Sequence, residues 1–325
     1  MDGDEEAEVS PTGGVLSLAD LLAFGEGPRP DRVTAPPAAL EAAREIDSST
    51  LRRRATPVRK SFLRSDSDLP TALTRVYRSG GRGGQVALKL YLALLWRCSS
   101  PPFQTSKPAR AWATLIGLED PGGNGQRRVN AALRTLQNAL LIQVTYTPGV
   151  GNTVSLLDES GDGTPYKLPS TEYARAPKGP AGEAQRRRNT YFKVPSRLWT
   201  EGDIQSLSGP GLVMLLILLA EQADTADSVW FATDLFPARY RISPNVRAQG
   251  TTELQQRGLL VVDREALPEV PGSVFARRRF RNKYRLTLPG GPAELFLPAP
   301  PTTPPSASTA GPASAAADAT GVQAS

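Results

Sequence analysis

One order of apolar and polar segments occurs twice in this chain, and this internal repeat is the strongest constraint on its fold. Each copy has an apolar helix, a second short segment, an amphipathic helix and a strand from which the chain turns back. The apolar helices are at 83–96 and 209–221, the second segments at 111–118 and 230–242, the amphipathic helices at 126–138 and 244–258, and the strands at 140–146 and 259–262. The pattern predicts two tandem units, each with three helices followed by a β-hairpin wing.

The rest of the chain differs from the repeat in composition. Residues 1–65 lack sustained periodicity, and residues 291–325 are rich in Pro, Ala, Ser and Thr, so both are predicted to be disordered. Residues 159–188 are predicted to form an irregular linker between a first unit at 66–158 and a second at 189–290. Within the first segment, "VLSLADLLAF" at 15–24 is interpreted as a transient helix or a docking motif.

Charge is distributed unevenly along the chain. Residues 1–50 carry a net charge of −8 and residues 51–110 a net charge of +11. An acidic segment that shields a basic block is common in proteins that bind nucleic acid, whereas the alternative is a solvated arm without a partner. The basic arm at 51–64 and the run "QRRRN" at 185–189 are expected to add nonspecific attraction to phosphate.

Several classes of chemistry lack the residues they need. The chain has no histidine and one cysteine, Cys98, which lies in an apolar run and is interpreted as a packed side chain. The stretch "GLEDPGGNGQRR" at 117–128 lacks the lysine of a nucleotide-binding phosphate loop, and "LDESGDG" at 157–163 lacks the alternating ligands of a calcium loop. We therefore expect no enzyme activity, no cofactor and no metal site.

The helix at 126–138 separates its apolar and polar residues onto two stripes. The apolar stripe consists of Val129, Ala132, Leu133, Leu136 and Leu140. The outward stripe carries Arg127, Asn130, Arg134 and Asn138, with Arg128 beside it. Arginine can bond guanine bidentately and asparagine can do the same with adenine, so this helix is a candidate DNA reader. The alternative is an ordinary charged surface helix.

The second amphipathic helix has clear start and stop signals. Ser243 is a predicted N-cap, Pro244 suits the first helical position and Gly258 ends the helix. Val246, Gly250 and Leu254 are predicted to face inward, with Gly250 allowing a close helix crossing. Asn245, Arg247 and Gln249 are the candidate DNA-binding residues on the outside.

The run "RRRFRNKYR" at 277–285 predicts a positively charged strand. Because side chains alternate along a strand, Phe280, Tyr284 and Leu286 are predicted to face the core or a neighbouring strand. The basic residues, which are candidates for phosphate contact, are Arg277, Arg278, Arg279, Arg281, Lys283 and Arg285. The alternative is an edge strand whose charges prevent aggregation.

The repeat resembles tandem winged-helix proteins, in particular bacterial plasmid replication initiators. The resemblance covers about residues 70 to 290 and rests on "WATLIGL…GQRRVNAALRTLQNALLIQV" and "FATDLFPARYRISPNVRAQGTTELQQRGLLVV…RNKYRLTL". It implies a mainly α fold (α+β) with two winged helix-turn-helix domains and small β-hairpin wings. It also implies sequence-specific binding of double-stranded DNA without catalysis, with the third helix of each unit in the major groove.

The resemblance leaves the biological role open. A transcriptional regulator with the same DNA-binding mode is one alternative, and a winged-helix interaction module of a chromosome-segregation complex is another. The expected partners are double-stranded DNA, with a second copy of the chain or replication proteins. No run reaches the ~18 apolar residues of a membrane span, so we expect no membrane partner. The expected location is the cytoplasm, on the nucleoid or a plasmid.

Overall fold

The computed structural model describes residues 35–49, 54–64, 70–78, 82–148, 151–223, 228–232, 235–267 and 279–288. In this part of the chain the fold is mixed α/β, with small antiparallel sheets beside the helices. The segments 15–24 and 291–325 lie outside the described residues, as do Arg52, Arg53, Arg277 and Arg278.

The segment before the first repeat is folded where it is described. It contains α1 (Pro37–Ser49), β1 (Ala55–Arg59), a 3₁₀ turn (Lys60–Phe62) and α2 (Ala72–Arg78). Ala39 and Ala43 of α1 are fully buried, as are Val58 and Phe62. The prediction of a disordered arm is therefore wrong for these residues. Their few apolar side chains pack on distant parts of the chain, and local periodicity does not reveal such contacts.

The first unit has three helices and a three-stranded antiparallel sheet. Its elements are α3 (Arg82–Arg97), β2 (Gln104–Thr105), α4 (Ala109–Leu115), α5 (Asn124–Asn138), β3 (Ile142–Thr147) and β4 (Gly151–Leu156). The strand order is β2-β4-β3, so the hairpin predicted after α5 is present and a third strand lies beside it. The sequence did not predict β2, because a strand of two residues has no alternation of its own.

The segment between the two units is also more regular than predicted. It contains α6 (Pro169–Arg175), a 3₁₀ turn (Pro180–Gly182), α7 (Glu183–Arg188), β5 (Tyr191–Pro195), α8 (Arg197–Thr200) and α9 (Asp203–Ser206). The prediction of an irregular linker at 159–188 is thus wrong for α6 and α7. Strand β5 pairs antiparallel with β1, with Ala55 opposite Pro195, and this pairing joins the segments that precede the two units.

The second unit repeats the order of the first. Its elements are α10 (Gly209–Gln222), β6 (Val229–Trp230), α11 (Leu235–Tyr240), α12 (Pro244–Gln256), β7 (Leu260–Ala266) and β8 (Phe280–Leu286). The strand order β6-β8-β7 matches that of the first sheet. Helix α10 is buried all round from residue 211 to residue 220, as its apolar run predicted.

The cap and the close crossing predicted for α12 are confirmed. The Ser243 hydroxyl accepts a hydrogen bond from the Val246 N–H at 3.3 Å. A Cβ on Gly250 would lie 2.3 Å from the Pro210 carbonyl oxygen and 2.5 Å from Met214 Cγ. Only glycine allows α12 to approach α10 this closely without moving the backbone.

The two units share one hydrophobic core. Helices α3 and α10 pack together, and Lys89 on α3 is only 4% exposed. Its Nζ donates to the Gln205 carbonyl at 2.7 Å, while Gln85 Nε2 donates to the Leu207 carbonyl at 2.9 Å. These bonds connect the first unit to the chain just ahead of α10. Within the described residues, no helix combines the length and the apolar character that crossing a bilayer requires.

Candidate nucleic-acid interface

The glycine-rich stretch ahead of α5 is a tight turn with its own internal cap. The Asp120 carboxylate accepts hydrogen bonds from the N–H groups of Gly123 at 3.1 Å and Asn124 at 2.8 Å. A Cβ on Gly123 would lie 2.3 Å from Asp120 Oδ2, so a larger residue there would have to displace the capping carboxylate. The first N–H groups of a helix are where a phosphate would bind, and here a carboxylate of the same turn already occupies them.

Helix α5 buries the apolar stripe that the sequence predicted, with one exception. Val129, Ala132, Leu133 and Leu136 are buried. Leu140 is 45% exposed, so its place on the stripe is wrong. The helix ends at Asn138, and Leu140 has a positive φ of 56°, which turns the chain toward β3 and takes this residue off the helical surface.

The opposite side of α5 is a continuous polar surface. Arg127, Arg128, Asn130 and Arg134 are exposed there, and we call these four residues the basic face of α5. Arg127 donates to the Asn124 side chain within the same helix. None of the three guanidinium groups forms an ion pair with a carboxylate of the described residues. The basic face therefore presents three positive charges that are not neutralised within this part of the protein.

Helix α12 presents polar but mostly uncharged side chains. Asn245 and Gln249 are exposed, as are Thr252 and Gln256. The side-chain amides of Asn245 and Gln249 can each donate and accept hydrogen bonds at a base edge. The second unit thus differs from the first in the charge of its third helix, although the two helices occupy equivalent positions.

Arg247 does not point outward as predicted. Its guanidinium lies over the rings of Phe236 at 4.6 Å, Phe231 at 5.4 Å and Tyr284 at 5.6 Å, and it donates to the Tyr284 hydroxyl at 3.0 Å. Stacking of this kind holds α12 against β8 and α11. The sequence does not reveal this orientation of Arg247, because the three rings lie in three separate parts of the chain.

The strand β8 is less basic in the structure than in the sequence. Arg281 and Lys283 both form ion pairs with Glu265 of β7, the second at 2.8 Å. These hydrogen bonds lower the pKa of the Glu265 carboxyl. The positive charge predicted for this strand is therefore partly neutralised, because antiparallel pairing places Glu265 opposite Arg281. Arg279 and Arg285 remain exposed without an ion pair among the described residues.

The other face of β8 is only partly as predicted. Tyr284 and Leu286 are buried, which confirms their orientation. Phe280 is 43% exposed, with the Arg264 guanidinium 4.3 Å from its ring centre. Its predicted place in the core is wrong, because Phe280 is the first residue of β8 and its ring contacts Arg264 at the surface.

Arg59 of the basic arm, and Arg187 and Arg188 of the linker run, pair with carboxylates of the protein itself. Arg59 is 1% exposed, and its guanidinium pairs with the carboxylates of Glu159 and Asp158, the latter at 3.5 Å. It also donates to Asn189 Oδ1 at 3.0 Å and to the Lys167 carbonyl at 2.7 Å. Arg59 is therefore not available for the phosphate contact expected of the basic arm, and Asp158 of "LDESGDG" is buried beside it.

Burial is the main electrostatic influence in the cluster of Arg59, Glu159 and Asp158. It raises the pKa of Glu159 to about 7, although the Arg59 charge and hydrogen bonds act in the opposite direction. In α7, Arg187 pairs with Glu183 at 3.1 Å and Arg188 pairs with Asp162 at 2.6 Å. The expected phosphate attraction of "QRRRN" is therefore reduced by internal partners, which the composition of the run does not reveal.

The described residues show no cluster of metal ligands, and their one cysteine is buried. They contain no group of three or more acidic or cysteine side chains positioned to hold a metal ion. Cys98 is 3% exposed, and burial raises the pKa of its thiol to about 12, in agreement with a packing role.

No protein-family model matches the chain, and no curated protein or solved structure is significantly similar to it. Its function must therefore be inferred from the residues and contacts given above.

Proposed function

We propose that this chain is a non-catalytic protein that binds double-stranded DNA through two winged helices, and that it acts in plasmid replication as an initiator or an associated factor. The observation that carries the proposal is the basic face of α5. Three arginines and an asparagine project from one exposed helix surface, and the described residues supply no carboxylate to neutralise them.

The arrangement of elements supports the winged-helix part of the proposal. Each unit runs helix, short strand, helix, helix and hairpin, and the short strand pairs with the last strand of the hairpin. In a winged helix, the third helix enters the major groove and the hairpin contacts the backbone. Helices α5 and α12 occupy the position of that third helix.

The two units offer different side chains for contacting DNA. The arginines of α5 suit guanine edges and phosphates, while Asn245 and Gln249 of α12 suit adenine. Arg279 and Arg285 are the basic residues of the second hairpin that remain for phosphate contact, since Arg281 and Lys283 share Glu265. We therefore expect α5 to supply most of the charge and α12 to add hydrogen-bond readout.

The decisive experiment compares duplex binding by two variants that lose the same charge. Fluorescence anisotropy with a labelled duplex of random sequence is measured over a range of salt concentrations. R127Q/R134Q is expected to weaken binding about tenfold or more, since each base or phosphate contact of this kind contributes ~1–3 kcal/mol. The matched control R44Q/R175Q, which removes one exposed arginine from α1 and one from α6, should stay within about twofold.

The same assay separates phosphate contact from sequence readout. R279Q/R285Q should weaken all duplexes equally and flatten the salt dependence by about one log–log unit for each lost contact. R127Q/R134Q should also change the sequences recovered when the protein selects from a random library. Equal losses in R127Q/R134Q and the control, or a full chain that binds no duplex, would refute the proposal.

The replication role needs a separate measurement. Mapping the DNA bound by the protein in the cell should recover repeated sequences at an origin. Recovery of promoters would instead favour the transcriptional regulator.

A further inference from the structure

The structure and the charge pattern point to an internal competitor for DNA, an inference that rests on the proposed function. We propose that residues 1–34, here called the acidic segment, bind the basic face of α5 in the same molecule and must be displaced before DNA can bind there.

Charge complementarity is the first support for this contact. The acidic segment contains eight acidic and two basic residues, for a net charge of −6. Five of the acids, Asp2, Asp4, Glu5, Glu6 and Glu8, fall within the first eight positions. The basic face carries three arginines without an ion-pair partner among the described residues. A carboxylate is the side chain that best imitates a phosphate toward a guanidinium group.

The second support is the place where the acidic segment joins the folded protein. Ala35 is buried, and a Cβ on Gly202 would lie 2.8 Å from its side chain. A Cβ on Gly117, in the turn between α4 and α5, would lie 3.4 Å from Pro36 Cδ. The acidic segment therefore joins the described part of the chain beside the turn that connects α4 to α5.

Helix α5 starts close to this attachment point. Gly125 in its first turn packs against α4, where a Cβ on Gly125 would lie 3.2 Å from Ala113 Cβ. Ala113 is also bonded to the same turn, since its carbonyl accepts from the Leu118 N–H at 2.9 Å. Pro36, the turn and the first turn of α5 thus form one continuous set of contacts.

The acidic segment is long enough to cover the basic face. Thirty-four residues can span at most ~110 Å, whereas α5 is only ~22 Å long. A binding element tethered this closely acts at an effective concentration in the millimolar range. Weak ion pairs can then keep the face occupied, and the apparent Kd for DNA rises as the reciprocal of the fraction of molecules in which the face is free.

Paramagnetic relaxation in NMR tests the contact without any DNA. A nitroxide is attached at S10C in the full chain, and the buried Cys98 thiol, with its pKa of about 12, leaves the new cysteine as the reactive one. We expect broadening of the amide signals of Arg127, Arg128 and Arg134. Unbroadened α5 signals, or broadening centred on Arg279 and Arg285, would overturn the proposal.

Charge variants test the competition. Changing the five clustered acids to amides should remove the broadening and tighten binding to a random duplex about fivefold or more, as expected if the acidic segment occupies the face most of the time. The matched pair is E5Q/E6Q, which should tighten binding, and E41Q/E45Q on the exposed side of α1, which should leave it unchanged. Equal effects in the pair would mean that net charge alone acts, and would overturn the proposal.

The two proposals fail in distinguishable ways. Broadening of α5 in a chain that binds no duplex would support the internal contact and refute DNA binding. Normal DNA binding without broadening would refute the internal contact alone.

Discussion

Replacing Arg59 by methionine tests whether the basic arm holds the fold together or holds DNA. Arg59 is buried between β1 and the turn at 158–159, where it faces two carboxylates, of which Glu159 is fully buried. Methionine keeps an unbranched apolar chain but leaves both carboxylates without their cation. It also removes the donors to Asn189 and to the Lys167 carbonyl.

The expected cost is a large part of the protein's stability. Breaking a buried ion pair by removing one partner costs about 3–5 kcal/mol, whereas a typical domain has only about 5–15 kcal/mol in total. Arg59→Met should therefore lower the free energy of unfolding by about 3–5 kcal/mol in urea titrations followed by circular dichroism. Arg110→Met, on the exposed surface of α4, is the control and should change it by less than about 0.5 kcal/mol.

The free energy of unfolding that is lost in Arg59→Met should depend on pH in a defined direction. Burial raises the pKa of Glu159 from 4.5 to about 7, so the folded protein retains a proton that the unfolded chain has released. The stability that this group contributes is present at low pH and is lost as the pH rises from about 4.5 to 7. Removing Arg59 raises this pKa further, because the cation no longer favours the carboxylate. The cost of Arg59→Met should therefore be smaller at about pH 5.5 than at about pH 8.

Two results would refute this reasoning. One is an Arg59→Met protein that unfolds at the wild-type urea concentration but binds DNA less tightly, which would return Arg59 to the role of phosphate contact. The other is a cost that grows as the pH falls, which would mean that Glu159 is not the group left without a partner.

Three further changes test other contacts. Gly250→Ala should destabilise the protein by about 1–3 kcal/mol in urea titrations, because its Cβ would lie 2.3 Å from the Pro210 carbonyl; wild-type stability would contradict the close crossing. Asp120→Ala should lower the free energy of unfolding by about 0.5–2 kcal/mol and speed amide hydrogen exchange in the first turn of α5; unchanged exchange there would contradict the capping role. Burial lowers the pKa of Lys89 from 10.5 to about 8, so stability should rise by about 2 kcal/mol between about pH 7.5 and 9.5, and Lys89→Met should abolish that rise.

Local patterns in the sequence were sufficient to predict the third helix of each unit. The apolar stripe from Val129 to Leu136 predicts the buried side of α5, and its complement predicts the exposed arginines. Ser243 and Gly250 of α12 likewise have the roles that the sequence assigned to them. These predictions succeed because helical period, capping and steric demand depend on neighbours a few residues apart.

Which basic residues remain available was decided only by the tertiary structure. Arg59 finds Glu159 100 residues away, Arg247 finds Tyr284 37 residues away, and Arg281 finds Glu265 16 residues away across a hairpin. A run of arginines in the sequence predicts positive charge, but its partners are supplied by elements brought together in the fold. The sequence by itself determined the two repeated units and the outward side of α5, because these depend on local periodicity. Electrostatic pairing depends on distance in space, so it was decided by the fold. The tertiary structure decided that Arg59 of the basic arm pairs with buried carboxylates, whereas Arg127, Arg128 and Arg134 of α5 have no ion pair among the described residues.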